Sequence, residues 1–211
     1  MRIKSWILAG IIWSVSSILT GCSTTELEER CFPMMVSVGY EDGQVLYGVA
    51  FPKEEKGEQA IVRSAGGTSF SESKRSYEKR LNKDADYNHL KVLVLEEDFL
   101  EKNVVYDGML EELAQTEDFP RNTYVCVIED LDDLEELEKN ISQDLGTYLE
   151  EYLKKQEEQK KSLFTLGDLI DEKENQAMDL RLPYLEVEEN FVEWNGYMNT
   201  TGKSWKESEI E

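Results

Sequence analysis

Alternating apolar and polar residues between Met34 and Phe51 predict the first element of the fold, a β-hairpin. The two alternating runs flank Asp42-Gly43, the dipeptide preferred at a two-residue type I′ turn. If Glu41 lies opposite Gln44, all the apolar residues fall on one face: Met34, Val36, Val38 and Tyr40 opposite Phe51, Val49, Tyr47 and Val45. Pattern and turn therefore predict the same register, with that face in the core.

Helical and strand patterns alternate after the hairpin. The spacing of Ser69 and Glu72 is that of a capping box and predicts a helix over residues 70–81, after a loop at 53–67 with at most a short strand near 60–62. Two apolar runs predict central strands, and periodic apolar residues predict further helices. The strands are Leu90–Leu95 and Thr123–Ile128, and the helices are 96–102, 107–116 (with Met109, Leu110, Leu113 and Ala114 on one face) and 131–155, broken near Ser142 or Gly146.

This order predicts an α+β fold class, a mixed β-sheet with an N-terminal β-hairpin, covered by helices on at least one face. After residue 161 the pattern changes to short apolar pieces around Leu182-Pro183 and a polar tail. We therefore predict an α/β domain over residues 34–161. Residues 162–211 are predicted to be a linker and the truncated start of a second domain.

Residues 1–21 have the pattern of a lipoprotein signal peptide. Two basic residues precede an apolar segment that is short for a membrane span, and the small pair Thr20-Gly21 stands directly before Cys22. That arrangement is the one at which a signal peptidase accepts a cysteine carrying diacylglycerol. We predict lipidation of Cys22, with acyl chains such as palmitate, and a tether over residues 22–33. The alternative is an ordinary signal peptide or a short anchor with a chance cysteine.

The charge of the chain limits its partners. The sequence has 45 acidic and 23 basic residues, a net charge of −22, and removal of residues 1–21 with their two basic residues would leave −24. Phosphate neutralisation supplies most nucleic-acid affinity, so no nucleic-acid partner is expected. Anionic lipid also repels such a chain, so membrane attachment has to come from the diacylglycerol on Cys22, whose two acyl chains give stable anchoring.

Two further cysteines, Cys31 and Cys126, are far apart in the sequence. They could pair outside the cytoplasm, but Cys126 lies in an apolar run where a free thiol behaves as a small hydrophobic side chain. We expect two free thiols.

The predicted helix at 70–81 carries a basic cluster that continues just beyond it. Its members are Lys74, Arg75, Lys79, Arg80 and Lys83. Contact with lipid headgroups or with an acidic partner is one interpretation. A solvated helix face is the simpler one.

The sequence offers little catalytic chemistry. His89 is the one histidine, and its place directly before a strand is more typical of a structural residue than of an acid–base catalyst. The sequence contains no nucleophile elbow, phosphate loop or metal-ligand spacing, and the acidic run at Glu129–Asp133 lacks the glycine and final glutamate of a calcium loop. We therefore expect no enzyme activity, no cofactor, no metal and no catalytic residue.

Several segments, in consistent order from Leu19 to Leu185, resemble the Ger(x)C family. The segments are Cys22-x-x-x-Glu26-Leu27-Glu28-Glu29-Arg30, the strand with Gly39, Gly67-Thr68-Ser69-Phe70, His89 to Phe99, Phe119 to Val125, and Leu182-Pro183-Tyr184-Leu185. Two features depart from the family pattern. Ser23-Thr24 replaces the usual Trp-Asp after the lipidated cysteine, and family members run about twice this length with two further domains.

The resemblance implies a function that the residues alone do not give. Ger(x)C proteins are the lipoprotein C subunits of nutrient germinant receptors in endospore-forming bacteria. It therefore implies an accessory subunit on the extracytoplasmic face of the cell membrane, the spore inner membrane, beside membrane-embedded A-type and B-type receptor subunits. The family supplies no catalytic residues to carry over.

Three interpretations follow from the sequence. The first is a lipid-anchored accessory subunit of a germinant receptor, expected to be shortened or split. The second is a stand-alone extracytoplasmic binding lipoprotein, which would need a pocket with convergent polar groups. The third, a surface hydrolase, is disfavoured by the single histidine and the missing motifs.

Overall fold

The computed structural model describes residues 30–53, 61–116, 118–175, 180–200 and 204–205, and for residues 61–65, 175 and 204–205 only the backbone. The chain divides into two compact units, residues 1–30 and residues 31–211. The fold below is that of the second unit. The predicted signal peptide, Cys22 and the tether up to residue 29 lie outside the described residues.

The described residues form eleven strands, six α-helices and a 3-10 turn at Tyr87–His89. The strands are β1 (Arg30–Cys31), β2 (Met35–Glu41), β3 (Gln44–Ala50), β4 (Ile61–Gly67), β5 (Asp84–Ala85), β6 (Val92–Glu96), β7 (Tyr124–Ile128), β8 (Phe164–Thr165), β9 (Arg181–Val187), β10 (Val192–Asn199) and β11 (Ser204–Trp205). The helices are α1 (Phe70–Glu78), α2 (Glu97–Leu100), α3 (Asn103–Gln115), α4 (Asp132–Asn140), α5 (Leu145–Glu158) and α6 (Leu166–Asn175).

One mixed sheet organises these elements. Its strand order is β11-β10-β9-β7-β6-β2-β3-β4, with β8 paired to the start of β7, and β1 and β5 lie outside it. The four neighbouring strands β9, β7, β6 and β2 run parallel, and the pairs towards both edges are antiparallel. The structure confirms the predicted fold class, a mixed sheet with an N-terminal hairpin and covering helices.

Helices cover the sheet on both faces, because the central strands bury alternate residues on opposite sides. On one side Val36, Leu93 and Val125 pack with α1, α2, α3 and α6. On the other side Met35, Val94 and Cys126 pack with α4 and α5. The result is a three-layer arrangement with a buried core on each face of the sheet.

The β2–β3 hairpin has the predicted register. Val36 lies opposite Val49, Val38 opposite Tyr47 and Tyr40 opposite Val45. Asp42 and Gly43 both have positive φ, 49° and 81°, as a type I′ turn requires. The strands begin at Met35 and end at Ala50. Met34 and Phe51, which the pattern also pairs, therefore lie one residue beyond the strand ends.

Residues 61–67 differ from the prediction, because they form the full strand β4 and not the end of a loop. β4 pairs with residues Val45 to Ala50 of β3. This backbone pairing holds β4 in the sheet, whereas the apolar pattern of β4 is too weak to predict a strand. Its two final glycines allow α1 to pack closely. A Cβ on Gly66 would lie 2.8 Å from Ser73 Cα, and one on Gly67 would lie 2.5 Å from Glu72 Cβ.

Residues 162–211 also differ from the predicted linker and second domain. Their strands β8 to β11 extend the same sheet, and α6 packs on one of its faces. The sequence Leu182-Pro183 favours an interruption of the sheet, since a proline has no N–H to donate to a neighbouring strand. Pro183 lies opposite Tyr197 in β10, while β9 pairs with β7 only at Tyr184 and Leu185, so the missing N–H lies outside that parallel pairing.

Helix limits shift by a few residues from the predictions. α1 begins at the predicted capping box, with Ser69 Oγ accepting from Glu72 N at 3.3 Å, but ends at Glu78. α3 begins four residues before the predicted start and buries Tyr106, while Ala114 is exposed. The expected break in the long helix is confirmed between Asn140 and Leu145, where the Asp144 side chain caps α5.

Candidate functional site

The predicted lipidation site, Cys22, lies outside the described residues, so lipidation stays a prediction from the sequence. Within the described residues, none of the helices combines the length and the hydropathy that a membrane span requires. The remaining candidates are His89, the two other cysteines and the charged clusters.

His89 ends the 3-10 turn before β6 and is exposed. Its ring meets the Phe32 ring edge-on, with 5.1 Å between the centroids. Among the described residues, no hydrogen bond joins the imidazole to a carboxylate, hydroxyl or thiol. Acid–base or nucleophilic catalysis needs such a partner to orient the ring, so the described surroundings of His89 are those of a surface packing residue.

Cys31 and Cys126 are both free, as expected from the sequence. Cys126 is fully buried in β7, and burial raises the pKa of its thiol to about 12. Burial also raises the pKa of Cys31, against a smaller opposing effect of Lys83. A thiol with a raised pKa is a poor nucleophile, so neither cysteine has the environment of a catalytic thiolate.

A cleft of about 490 Å³ lies where the parallel strands β2, β6 and β7 end. In open sheets of this kind ligands bind outside the carboxyl ends of the strands. Acidic residues dominate the lining, which consists of Tyr40, Glu41, Leu46, Glu96, Glu97, Asp98, Glu129, Asp130 and Asp132. We call this the acidic cleft.

Glu96, at the end of β6, holds two neighbouring elements of the acidic cleft together. Its carboxylate accepts from Tyr40 N in β2 at 2.9 Å and from Leu131 N, before α4, at 3.4 Å. Burial raises the pKa of Glu96, while these two hydrogen bonds act in the opposite direction. A Cβ on Gly39 would lie 2.5 Å from Glu96 Oε2, so a larger residue there would displace the carboxylate from its present position beside Tyr40 N.

Other carboxylates of the acidic cleft also bind groups of the fold. Glu97 Oε2 accepts from the Tyr184 hydroxyl at 2.8 Å, and Asp130 Oδ1 accepts from Asp132 N at 2.8 Å. Within the described part of the chain, no group of three or more possible ligands is placed to hold a metal ion. Glu96, Glu97 and Asp130 therefore stabilise the fold at the strand ends and helix starts that line the acidic cleft.

Sequence reasoning missed the acidic cleft, although a signal was present. Acidic residues occupy or directly follow the ends of three strands, at Glu41, at Glu96–Asp98 and at Glu129–Asp130. Parallel strands place their carboxyl ends at one edge, so these residues had to meet there. The hairpin was predicted, but the parallel pairing of β2 with β6 depends on long-range contacts that the local pattern does not show.

The predicted basic cluster separates into two parts in the structure. Lys74, largely buried on α1, lies 2.6 Å from Asp118 Oδ2 and 5.0 Å from the centre of the Tyr87 ring. Arg75, Lys79, Arg80 and Lys83 are exposed and form no ion pair with a described residue. Lys74 is thus part of the packing of α1, whereas the other four face solvent.

The core holds α1 firmly against the sheet. Phe70 and Tyr77 are buried against Tyr47 of β3, with ring centroids 5.6 Å away in both cases. Ser73 Oγ donates to Val45 O at 2.9 Å, and Tyr47 and Tyr87 share a hydroxyl hydrogen bond of 3.0 Å. The exposed basic residues therefore lie on, or shortly after, a helix that packs tightly against the core.

Comparisons with known proteins identify the family. Neither a curated protein nor a solved structure matches the chain. The family model described as "Spore germination protein N-terminal domain" matches residues 23–187, more than three quarters of the chain. The match runs past residue 161 to the end of β9, in agreement with the single sheet of the structure. The chain therefore belongs to the family of the spore germination protein N-terminal domain, which assigns it a role in spore germination.

Proposed function

We propose that the chain is a lipid-anchored accessory subunit of a nutrient germinant receptor, held on the extracytoplasmic face of the cell membrane that becomes the spore inner membrane. The observation that carries the proposal is the family match, which begins at residue 23, directly after Cys22. A mature chain that starts at a lipidated Cys22 would consist of the matched domain from its first residues. Its partners would be the membrane-embedded A-type and B-type receptor subunits.

The proposed role is binding and support, without catalysis. The exposed ring of His89 packs on Phe32, and the Cys126 thiol is buried with a pKa of about 12. Among the carboxylates of the acidic cleft, Glu96, Glu97 and Asp130 accept hydrogen bonds from the fold itself. These surroundings support a protein that acts by binding partners at its surface and not through a reactive centre.

The alternative of a stand-alone binding lipoprotein needs a pocket with polar groups that converge on a ligand. The acidic cleft has a suitable volume, but its most enclosed carboxylate, Glu96, is committed to Tyr40 N and Leu131 N. No described feature of the cleft therefore favours this alternative over the receptor subunit.

Replacement of single cysteines in the full-length chain tests the proposed function. Cys22→Ala should abolish labelling by palmitate, release the chain from the spore membrane fraction and remove the nutrient germination response. Cys31→Ala is the matched control, since Cys31 is a free, half-buried thiol nine residues further on, and it should retain all three properties. An unlabelled wild-type chain, or a normal nutrient response in the Cys22→Ala strain, would contradict the proposal.

A second substitution tests the absence of catalysis. His89→Gln should keep the nutrient response at the wild-type protein level, because among the described residues the ring packs on Phe32 and forms no hydrogen bond. Complete loss of the response with an unchanged melting temperature would show that His89 takes part in chemistry.

A further inference from the structure

Four basic residues have no acidic partner among the described residues, although the chain is strongly acidic. They are Arg75 on α1, Lys79 and Arg80 at its end, and Lys83 in the turn that follows. Elsewhere, basic side chains such as Lys91, Arg121 and Lys173 lie 2.6–3.0 Å from a carboxylate oxygen. With 45 acidic residues against 23 basic ones, the clustering of four such cations within residues 75–83 distinguishes this surface. We call it the α1 basic face.

The groups beside the α1 basic face suit a phosphate ester. A cleft of about 480 Å³ between β4 and α1 is lined by Gly66, Glu72 and hydroxyl and cationic side chains, namely Ser69, Ser71, Ser76, Arg75 and Lys79. Hydroxyl, guanidinium and ammonium groups all donate hydrogen bonds to phosphate oxygens. The one carboxylate of the lining, Glu72, accepts from Thr68 N at 2.9 Å and from the Thr68 hydroxyl at 3.1 Å.

The structure also places the α1 basic face beside the point where the chain from Cys22 enters the fold. Cys31 Sγ lies 3.9 Å from Lys83 O and 3.7 Å from Asp84 O, and Asp86 N donates to Cys31 O at 2.8 Å. Even fully extended, the chain from Cys22 to Cys31 spans only about 30 Å. An anchor at Cys22 would therefore keep Lys83 and its neighbours close to the bilayer.

We propose that the α1 basic face docks on the anionic phospholipid headgroups of the membrane that holds the anchor, and so fixes the orientation of the domain. The proposal rests on the lipid anchor of the proposed function. Charge repulsion between exposed groups fades beyond about 8–10 Å at physiological salt, so the charges nearest the bilayer decide the orientation. A tethered acidic domain lowers its energy by turning its unpaired cations to the lipid and its carboxylates away from it.

The test measures which side of the lipidated full chain meets the lipid. A nitroxide is attached at Asn82→Cys, beside the α1 basic face, or at Ser142→Cys, in the exposed turn between α4 and α5 behind the other face of the sheet, both in a Cys31→Ser background. The chain is reconstituted in vesicles of phosphatidylcholine with or without phosphatidylglycerol. Collisions of the nitroxide with a nickel-chelating lipid report proximity to the headgroups.

We expect frequent collisions at position 82 and few at position 142, only with phosphatidylglycerol present, and a loss of the difference at high salt. Lys79→Gln with Arg80→Gln should lower the docked-to-undocked ratio roughly 30-fold, since each basic residue near an anionic surface contributes about fivefold. Lys139→Gln with Lys155→Gln is the matched control, because it removes two exposed, unpaired cations on α4 and α5, and it should leave the ratio unchanged.

Equal collisions at positions 82 and 142 in an anchored chain would overturn the docking and leave the lipid anchor intact. Absence of acyl chains on Cys22 would refute the proposed function and the docking with it. Loss of the germination response in the Lys79→Gln, Arg80→Gln variant, with unchanged collisions, would assign the α1 basic face to an acidic protein partner and would also overturn the proposal.

Discussion

The acidic cleft and the α1 basic face are both dense clusters of like charge, but they differ in what their charges bind. In the acidic cleft, Glu96 and Glu97 accept hydrogen bonds from Tyr40, Leu131 and Tyr184. On the α1 basic face, the four exposed cations have no acidic partner among the described residues. These two carboxylates are therefore used within the fold, whereas the four cations are free to bind something outside it.

The comparison shows that the partners of a charge, and not its sign or its density, separate charges that stabilise the fold from charges that are available for binding. The same helix contains both kinds, since Lys74 is enclosed by Asp118 and the rings of Tyr87 and Phe119 while Lys79 faces solvent. Substitutions that remove single partners can test this distinction directly.

The largest effect is expected in β2, the buried strand whose end lines the acidic cleft. Val38 is fully buried in β2 between Tyr47 of β3 and Leu95 of β6. Val38→Asp would bury an unpaired charge at a cost of several kcal/mol against a total stability of about 5–15 kcal/mol, so the domain should lose its cooperative thermal transition. Val104→Asp is the control, because Val104 is 87% exposed, and a cooperatively melting Val38→Asp protein would contradict the described packing.

In the acidic cleft, Glu96→Gln should reduce the free energy of unfolding by about 2 kcal/mol, because the amide group offers one acceptor oxygen to two backbone N–H donors. Tyr40 N and Leu131 N bind different oxygens of Glu96, so one of them would face an NH₂ group. Glu129→Gln, an exposed residue of the same cleft, is the matched control and should change stability little in urea unfolding. Equal effects of the two substitutions would show that Glu96 has no structural role.

The titration of Glu96 gives a further prediction. Its pKa is raised in the folded chain, chiefly by burial, so the folded state binds its proton more tightly than the unfolded state does. The stabilisation from this group is therefore fully present below the unfolded pKa and is lost as the pH rises through the folded pKa. The difference in unfolding free energy between the wild type and Glu96→Gln should accordingly shrink as the pH increases above 4.5, the ordinary pKa of a glutamate side chain. A difference that grows with pH would contradict the raised pKa.

On α1, two lysines allow a matched comparison of the smallest effects. Lys74→Met should lower the free energy of unfolding by about 1–2 kcal/mol, since it removes an ion pair with Asp118 and contacts with two aromatic rings. Lys79→Met should change it by less than about 0.5 kcal/mol, because the Lys79 side chain forms no hydrogen bond, ion pair or ring contact with a described residue. The order of the two melting temperatures checks the prediction, and the reverse order would remove the distinction between structural and free cations.

Local patterns predicted the elements that local physics determines. The β2–β3 register follows from alternation and from Asp42-Gly43, and the start of α1 follows from the capping residues Ser69 and Glu72. The break between α4 and α5 was also expected, and Asp144 caps the second helix there. Each of these features depends on residues close together in the sequence.

Long-range pairing determined what the sequence did not predict. β4 forms by pairing with the backbone of β3, and β8 and β9 join the sheet by pairing with β7. The acidic cleft likewise forms only when β2, β6 and β7 lie side by side. The charge of the α1 basic face was visible in the sequence, but the role of Lys74 depends on Asp118 and Phe119 from another part of the chain.

The central claim, that this chain is an accessory subunit of a germinant receptor, is tested most directly by affinity purification of the tagged full-length chain from detergent-solubilised spore inner membranes. We predict that the membrane-embedded A-type and B-type subunits co-purify with the wild-type chain and with the Cys31→Ala control, and that Cys22→Ala loses them. Recovery of the anchored chain without either subunit would contradict the claim.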